Sequence, residues 1–222
     1  MMRSMTLGEL EVSLDAKLLG ADRSFSRVCI DSRKIASGDI FIALKGAKLD
    51  GHNFLDEVRS LGVPAILCKG TDYDLSWLEV ENTLSALGSL GAQNRRLFSG
   101  FVAAITGSSG KTTVKNLVTS VFAQKAPTIG SKANFNNEIG VPLTLLDINP
   151  SHKFAVIEMG AGKRGDIKYL CELVAPNAAV ALNAMPAHLQ GLGDLSAVVK
   201  EKGAIYDCLS SEGVAIINAD DP

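Results

Sequence analysis

The sequence predicts an α/β protein: a small N-terminal α/β domain, then a P-loop-type domain built on a mainly parallel sheet. Three observations predict it. Short β-type runs surround a single helix in the first eighty or so residues. Four nearly continuous apolar runs follow, the pattern of strands buried on both faces of a parallel sheet. Between the first of these and an amphipathic helix lies Gly107-Ser108-Ser109-Gly110-Lys111-Thr112-Thr113.

In chain order, strands are expected over 28–30, 40–44 and 65–68, with a helix over 54–61 before the third. Gly38-Asp39 and Asp50-Gly51 are turn signals around the second strand, and Gly62-Val63-Pro64 stops the helix. The polar stretch 69–76 ends this unit. From Thr83 an amphipathic helix runs through Leu84, Leu87, Leu90 and Leu97. It leads into strands over 101–106, 154–159, 178–183 and 214–218. A helix over 112–124 places Val114, Leu117, Val118, Val121 and Phe122 on one face for packing against the sheet, and Pro127 closes it. With no repeat or low-complexity tract, the reading is two domains, 1–82 and 83–222.

Composition excludes some classes of function. The 222 residues are 46% hydrophobic and 21% charged, and a net charge of −2 gives no basis for electrostatic capture of nucleic acid or an anionic membrane. Any bound anion must be held locally. Cys29, Cys68, Cys171 and Cys208 have neither zinc nor disulfide spacing, so each reads as a small buried hydrophobe. The first ten residues mix Arg3 and Glu9 among short apolar runs, unlike a secretory core or a membrane span, so a soluble cytoplasmic protein is expected.

The glycine-rich turn carries the clearest chemistry. Gly107 and Gly110 let successive backbone N–H groups turn inward on phosphates, and the following helix adds partial positive charge at its N-terminus. Lys111 can reach β- and γ-phosphates, and Thr112 can offer its hydroxyl to Mg²⁺. Ile105 stands where the strict Walker pattern has glycine, so the loop is a shortened variant. The bland alternative is a strand–helix turn with a surface lysine. Gly-Lys-Thr-Thr between an apolar strand and a helix argues against it.

Glu158 ends the next strand, and in parallel sheets that end faces the ligand crevice, so a metal-ligating carboxylate fits there. His188 follows the strand after that and reaches the same rim by topology. A solvated glutamate and an exposed loop histidine are the competing readings.

Together, residues 106–113, Asn134-Phe135-Asn136-Asn137 and its continuation to Leu146, Glu158-Met159-Gly160-Ala161 and Ala187-His188-Leu189 resemble the Mur ligases in motif, order and spacing. Asp31-Ser32-Arg33, the run 40–46 and Asp50-Gly51-His52-Asn53-Phe54 resemble the members that join D-alanyl-D-alanine to UDP-N-acetylmuramoyl-tripeptide in peptidoglycan precursor synthesis. The resemblance implies ATP and Mg²⁺ as cofactors, a monomer, and an acyl-phosphate intermediate. It implies that the first domain binds the UDP end of the substrate through Ser32, Arg33, Lys45, Gly46, Asp50, Gly51, His52 and Asn53, all residues that also favour tight turns. Asn134 and Asn137 would face substrate near the phosphates. Lys202 matches a lysine that relatives carbamylate, which would turn a cation into an Mg²⁺ ligand beside Thr112, Glu158 and His188.

Ala133 departs from a usual glycine, Gly162-Lys163 from a usual Asn-His pair, and Met185 from a small residue. By the same resemblance the chain stops inside the central ATPase domain. Another Mur ligase, a folylpolyglutamate synthase relative and a non-catalytic fragment that binds the UDP-peptide and nucleotide all stay open.

Overall fold

The computed structural model describes residues 2–46, 48–186 and 192–221, and the chain divides into two compact units, Met1–Leu90 and Gly91–Pro222. The division falls inside a helix, eight residues beyond the boundary at 82/83 expected from composition.

The first unit opens with strand β1 (Met5–Thr6) and helix α1 (Leu7–Leu14). Thr6 caps α1 by accepting from the Glu9 N–H, while the Glu9 carboxylate accepts from the Thr6 N–H at 3.1 Å. This reciprocal box nucleates a helix too short to form on propensity alone. Strands β2 (Lys17–Leu19), β3 (Ser24–Phe25), β4 (Arg27–Cys29) and β5 (Asp39–Ile42) follow, then α2 (Leu55–Ser60), β6 (Ala65–Cys68) and β7 (Trp77–Val80). β1 pairs with β3, and a second sheet has the order β2-β7-β6-β5-β4, parallel except for β2. Phe41, Ala43, Leu55, Val58, Ala65, Leu67 and Trp77 form the core beneath it.

Sequence periodicity missed α1, β2 and β7. The polar stretch expected to end this unit instead leads into β7, which pairs with both β6 and β2. The helix expected over 54–61 is a 3-10 turn, Gly51–Phe54, running into α2.

Helix α3 (Thr83–Arg96) spans the division. In its first half Ala86, Leu87 and Leu90 are buried; in its second, Asn94 donates to the carbonyls of Leu145 and Ile148. Leu97, expected on its apolar face, lies past the helix end and is exposed.

The second unit carries β8 (Phe101–Thr106), α4 (Lys111–Ala123), β9 (Thr128–Gly130), α5 (Gly140–Leu146) and β10 (Phe154–Glu158). It continues through α6 (Asp166–Val174), β11 (Ala178–Ala181), α7 (Leu195–Gly203) and β12 (Val214–Ile217). The sheet order is β12-β11-β8-β10-β9, all parallel, with Val102, Ala104, Ala155, Ile157, Ile167 and Leu170 in its core. β8 lies between β10 and β11, so the loop after it opens at the centre of the sheet's C-terminal edge, where such sheets bind ligands.

Helix α4 corrects one expectation. Leu117 and Val121 are 61% and 66% exposed, whereas Lys115 is 3% exposed. The helix starts at Lys111 with its first turn committed to the glycine loop. Continuing that face at helical spacing brings residues 115, 118, 119 and 122 inward, a rotation that an apolar-stripe reading does not see. Of the cysteines, Cys29 and Cys171 are buried and Cys68 and Cys208 only partly so. No helix among the described residues is long and apolar enough to cross a membrane.

Candidate functional site

The glycine loop has the backbone that its sequence requires. Gly107 has φ +153° and Gly110, the N-cap of α4, has φ +78°; a Cβ on Gly107 would come within 3.0 Å of the Leu182 side chain. Both conformations belong to glycine. Lys111 Nζ donates to the Gly107 carbonyl at 2.8 Å, bridging the loop across its mouth.

The loop is buckled to the segment after β11. Asn183 Oδ1 accepts from the backbone N–H groups of Ser108 and Ser109, both at 3.0 Å, and Asn183 Nδ2 donates to the Ser109 carbonyl at 3.3 Å. Ser108 Oγ donates to the Met185 carbonyl and accepts from its N–H, each at 2.9 Å. Those bonds use backbone groups of Met185, so a larger side chain there is compatible with them. The amides left to face a phosphate lie at the N-terminus of α4, around Gly110, Lys111, Thr112 and Thr113.

Glu158, at the end of β10, is 1% exposed with both carboxylate oxygens engaged. Thr112 Oγ1 donates to Oε2 at 2.9 Å and Asn136 Nδ2 donates to Oε1 at 2.8 Å. A hydroxyl and a carboxylate in contact beside a phosphate loop form a hard-oxygen pair, and Mg²⁺ commonly takes one or two carboxylates together with ligand phosphates. The residues present therefore fit that ion. Among the described residues no three His, Cys, Asp or Glu side chains cluster as a separate metal site.

The adjoining cavity, about 520 Å³, is lined by Lys111, Asn136, Asn137, Lys163, Tyr169 and Lys202 among others. Lys202, on α7, is 2% exposed; burial first, and the nearby Lys111 charge second, bring its pKa down to about 8. Its neighbour Glu201 turns the other way, accepting from the Gly165 and Ile167 N–H groups at 2.7 and 2.8 Å to hold the start of α6. That anchors α7 and leaves Lys202 facing the cavity.

Not all asparagines of the 134–137 stretch behave as expected. Asn137 lines the cavity while its Oδ1 accepts from the N–H of Gly140, the first residue of α5, at 2.9 Å. Asn134 is exposed and does not line it. The residue that reaches Glu158 is Asn136, which the sequence reading passed over; alternation along Asn134-Phe135-Asn136 is the only hint of it. Ala133, where resemblance suggests glycine, has φ +44°, the left-handed conformation in which an L side chain is strained. Asn183 was likewise missed. His188 lies outside the described residues.

The first unit gathers its candidates at the C-terminal rim of β4, β5 and β6. Ser32 Oγ donates to Glu57 Oε2 at 2.7 Å, and Arg33 pairs with Asp31 through two bonds of 2.8 Å, which holds the partly exposed Asp31 carboxyl down at about 2. Lys45 bridges to Asp50 in the backbone, closing a loop in which Gly46 donates to the Leu49 carbonyl and Asn53 to that of Asp50. Gly51 is forced: its Cβ would meet Ala43 Cα at 2.8 Å.

His52 has both ring nitrogens committed inside the protein. Nε2 accepts from the Cys68 N–H at 3.1 Å, so Nδ1 carries the proton and donates to Asp50 at 2.7 Å. Bonds from the His52 backbone and ring also lower the Asp50 pKa. His52 therefore shapes the loop, while the side chains of Lys45 and Asn53 are exposed.

Comparison with known proteins agrees with this geometry. Residues 105–222 match the Mur ligase middle domain, and residues 24–95 match the model described as Mur ligase family, catalytic domain. The UDP-N-acetylmuramoyl-tripeptide--D-alanyl-D-alanine ligase of Escherichia coli (strain K12) is 42% identical over 220 residues, covering 99% of this chain and 49% of that protein. Its Haemophilus influenzae counterpart is 43% identical over 219 residues, covering 96% of this chain and 48% of its own length. Among solved structures, MurF from Acinetobacter baumannii superposes with a TM-score of 0.94 at 36% identity, over 99% of this chain and 50% of the other. MurF from Thermotoga maritima, solved in complex with ADP, gives 0.83 at 34% identity, over 88% of this chain and 46% of the other. The chain thus spans about half the length of the curated relatives it matches. With a small mixed-sheet domain before a parallel-sheet middle domain, it belongs to the Mur ligase family, and within that family it is similar to MurF.

Proposed function

We propose that this chain carries the nucleotide site and the UDP-substrate site of a ligase that joins D-alanyl-D-alanine to UDP-N-acetylmuramoyl-tripeptide at the expense of ATP. The observation that carries the reading is one cavity lined by Lys111 and Lys202 beside the glycine loop, whose wall residue Asn136 holds the Glu158 carboxylate that Thr112 also touches. The activity for which relatives at 42% and 43% identity are named supports the choice of substrates. We assign the UDP end to residues 1–82 and ATP to residues 83–222.

In this reading the protein positions and neutralises, which is most of what phosphoryl transfer asks of an enzyme. The amides at the N-terminus of α4 hold the phosphates. Lys111 leaves the Gly107 carbonyl to follow the charge that builds on the transferred phosphoryl group. Thr112 and Glu158 would hold Mg²⁺, which would supply positive charge against that of the phosphates. His188 is assigned as a further ligand. Lys202 already has its amine largely desolvated, and the neutral amine is the form that reacts with carbon dioxide; we assign it as the carbamylated lysine. The tripeptide carboxylate would attack the γ-phosphate, breaking its bond to the bridging oxygen and releasing ADP, to give an acyl phosphate; the dipeptide amine would then attack the acyl carbon, losing a proton and expelling inorganic phosphate. Asn134 and Asn137 are assigned to the substrate side of the phosphates, with Asn137 the better placed.

Lys111→Ala tests the nucleotide site. Calorimetry should show MgATP affinity falling by about a hundredfold or more, since a charge-assisted phosphate contact is worth roughly 2–3 kcal/mol or more. Undiminished affinity refutes the site. Phosphate release that requires both UDP-tripeptide and D-alanyl-D-alanine supports the reaction, whereas dependence on folate sinks it. Binding of both ligands without product would assign this chain to the binding part of the reaction alone.

A further inference from the structure

Lys115 is a buried cation that the reaction does not use. It sits in α4 one turn beyond Thr112, 3% exposed, and its Nζ donates to the Ser131 carbonyl at 2.7 Å. A buried ammonium costs several kcal/mol unless its partners compensate, so a hydrophobe would be the economical residue at this position if packing were its only task.

Its partner faces two ways. Ser131, also 3% exposed, accepts Lys115 on its carbonyl, while its hydroxyl accepts the Glu158 N–H at 3.0 Å. Five residues further on, Asn136 holds the Glu158 carboxylate at 2.8 Å and accepts the Gly160 N–H on its carbonyl at 2.7 Å. The segment 131–136 therefore grips Glu158 by its main chain at one end and by its side chain at the other. Lys115 fastens the first of those ends to the helix that carries Thr112. The spacing between helix and strand is fixed: a Cβ on Gly130 would meet Thr119 Oγ1 at 2.6 Å, leaving no slack for a shorter side chain to reach Ser131.

We propose that Lys115 is a positioning residue for the metal–nucleotide site, acting through Ser131 to set where Glu158 stands relative to Thr112. The proposal rests on the reading that this loop binds a magnesium nucleotide. It needs neither contact with the nucleotide nor any change in protonation, only the Lys115–Ser131 bond.

The test uses the full chain with Lys115→Met and, separately, Ser131→Ala, which keeps the carbonyl that Lys115 binds but removes the hydroxyl that holds Glu158. ATP affinity is measured with Mg²⁺ and again with EDTA. Both variants should lose about tenfold of the affinity gained from Mg²⁺, while affinity in EDTA stays within about twofold of wild type. A residue that merely fills space would lower the melting temperature and leave the Mg²⁺ gain intact, and that result in either folded variant overturns the proposal. If wild type itself binds no ATP, the nucleotide reading fails instead. The latch is then judged by amide exchange at Glu158 and Gly160: about tenfold faster in Lys115→Met supports it, and unchanged rates overturn it.

Discussion

Replacing Asn183 with alanine removes a side chain that touches the phosphate loop in three places without belonging to it. Two bonds run from the Ser108 and Ser109 N–H groups to Oδ1, both at 3.0 Å, and one from Nδ2 to the Ser109 carbonyl at 3.3 Å. At a net worth of about 0.5–1.5 kcal/mol each, with the longest counting least and water able to replace part of the loss, about 1–3 kcal/mol of loop order disappears. The Ser108 N–H keeps its bond to the Asn183 main-chain carbonyl and its hydroxyl keeps both bonds to Met185, so the loop stays attached through Ser108. Nucleotide binding must then reorder the rest, which should weaken MgATP by roughly tenfold to a hundredfold. Calorimetry at two salt concentrations is the assay. Asn183→Asp keeps the acceptors but sets a carboxylate near the phosphates, so its loss should ease with added salt and the alanine loss should not. Affinity unchanged to within about twofold in the alanine variant would show that the loop needs no buckle. Tighter binding would show that the carboxamide competes with phosphate; either result refutes the reasoning.

The same unit supports two further expectations. Arg95, 9% exposed, donates to the carbonyls of Val174, Ala175 and Phe98 at 2.7, 2.8 and 2.9 Å, tying α3 to the C-terminal end of α6. Arg95→Met should cost about 3–5 kcal/mol in urea unfolding because buried carbonyls lose a charged partner, Arg95→Lys should recover only part, and a cost below about 1 kcal/mol would contradict the account. Lys202, with its pKa near 8, should form a carbamate with ¹³C-labelled carbon dioxide that titrates around that pH at fixed dissolved gas, and the NMR signal should vanish in Lys202→Met. About a quarter of its amine is neutral at pH 7.5, against about a thousandth for an ordinary lysine. Because its folded pKa lies below the unfolded value, its contribution to stability is complete above about 10.5 and is lost as pH falls through about 8. A carbamate midpoint near 10.5 would remove the argument for burial.

Much of this protein is legible in its sequence. Gly107 and Gly110 announce a tight strand–helix loop because its backbone geometry permits few other residues there, and four apolar runs announce a parallel sheet because strands covered on both faces tolerate little else. The position of Glu158 was readable too, since a strand's end in such a sheet has a known side. What the sequence could not supply was the rotation and pairing of individual side chains. Helix α4 turns its lysine inward because its first turn answers to the loop, not to its apolar stripe. Asn136, not Asn134, meets the carboxylate, in a segment that enters through a left-handed turn at Ala133 and has no regular period to read. His52 spends both nitrogens on Asp50 and Cys68, a contact across sixteen residues that no local pattern encodes. Asn183 closes on a loop 74 residues earlier in the chain. Local chemistry is written in local sequence; the grip on Glu158 and the buckle on the phosphate loop exist only once distant strands are hydrogen-bonded side by side.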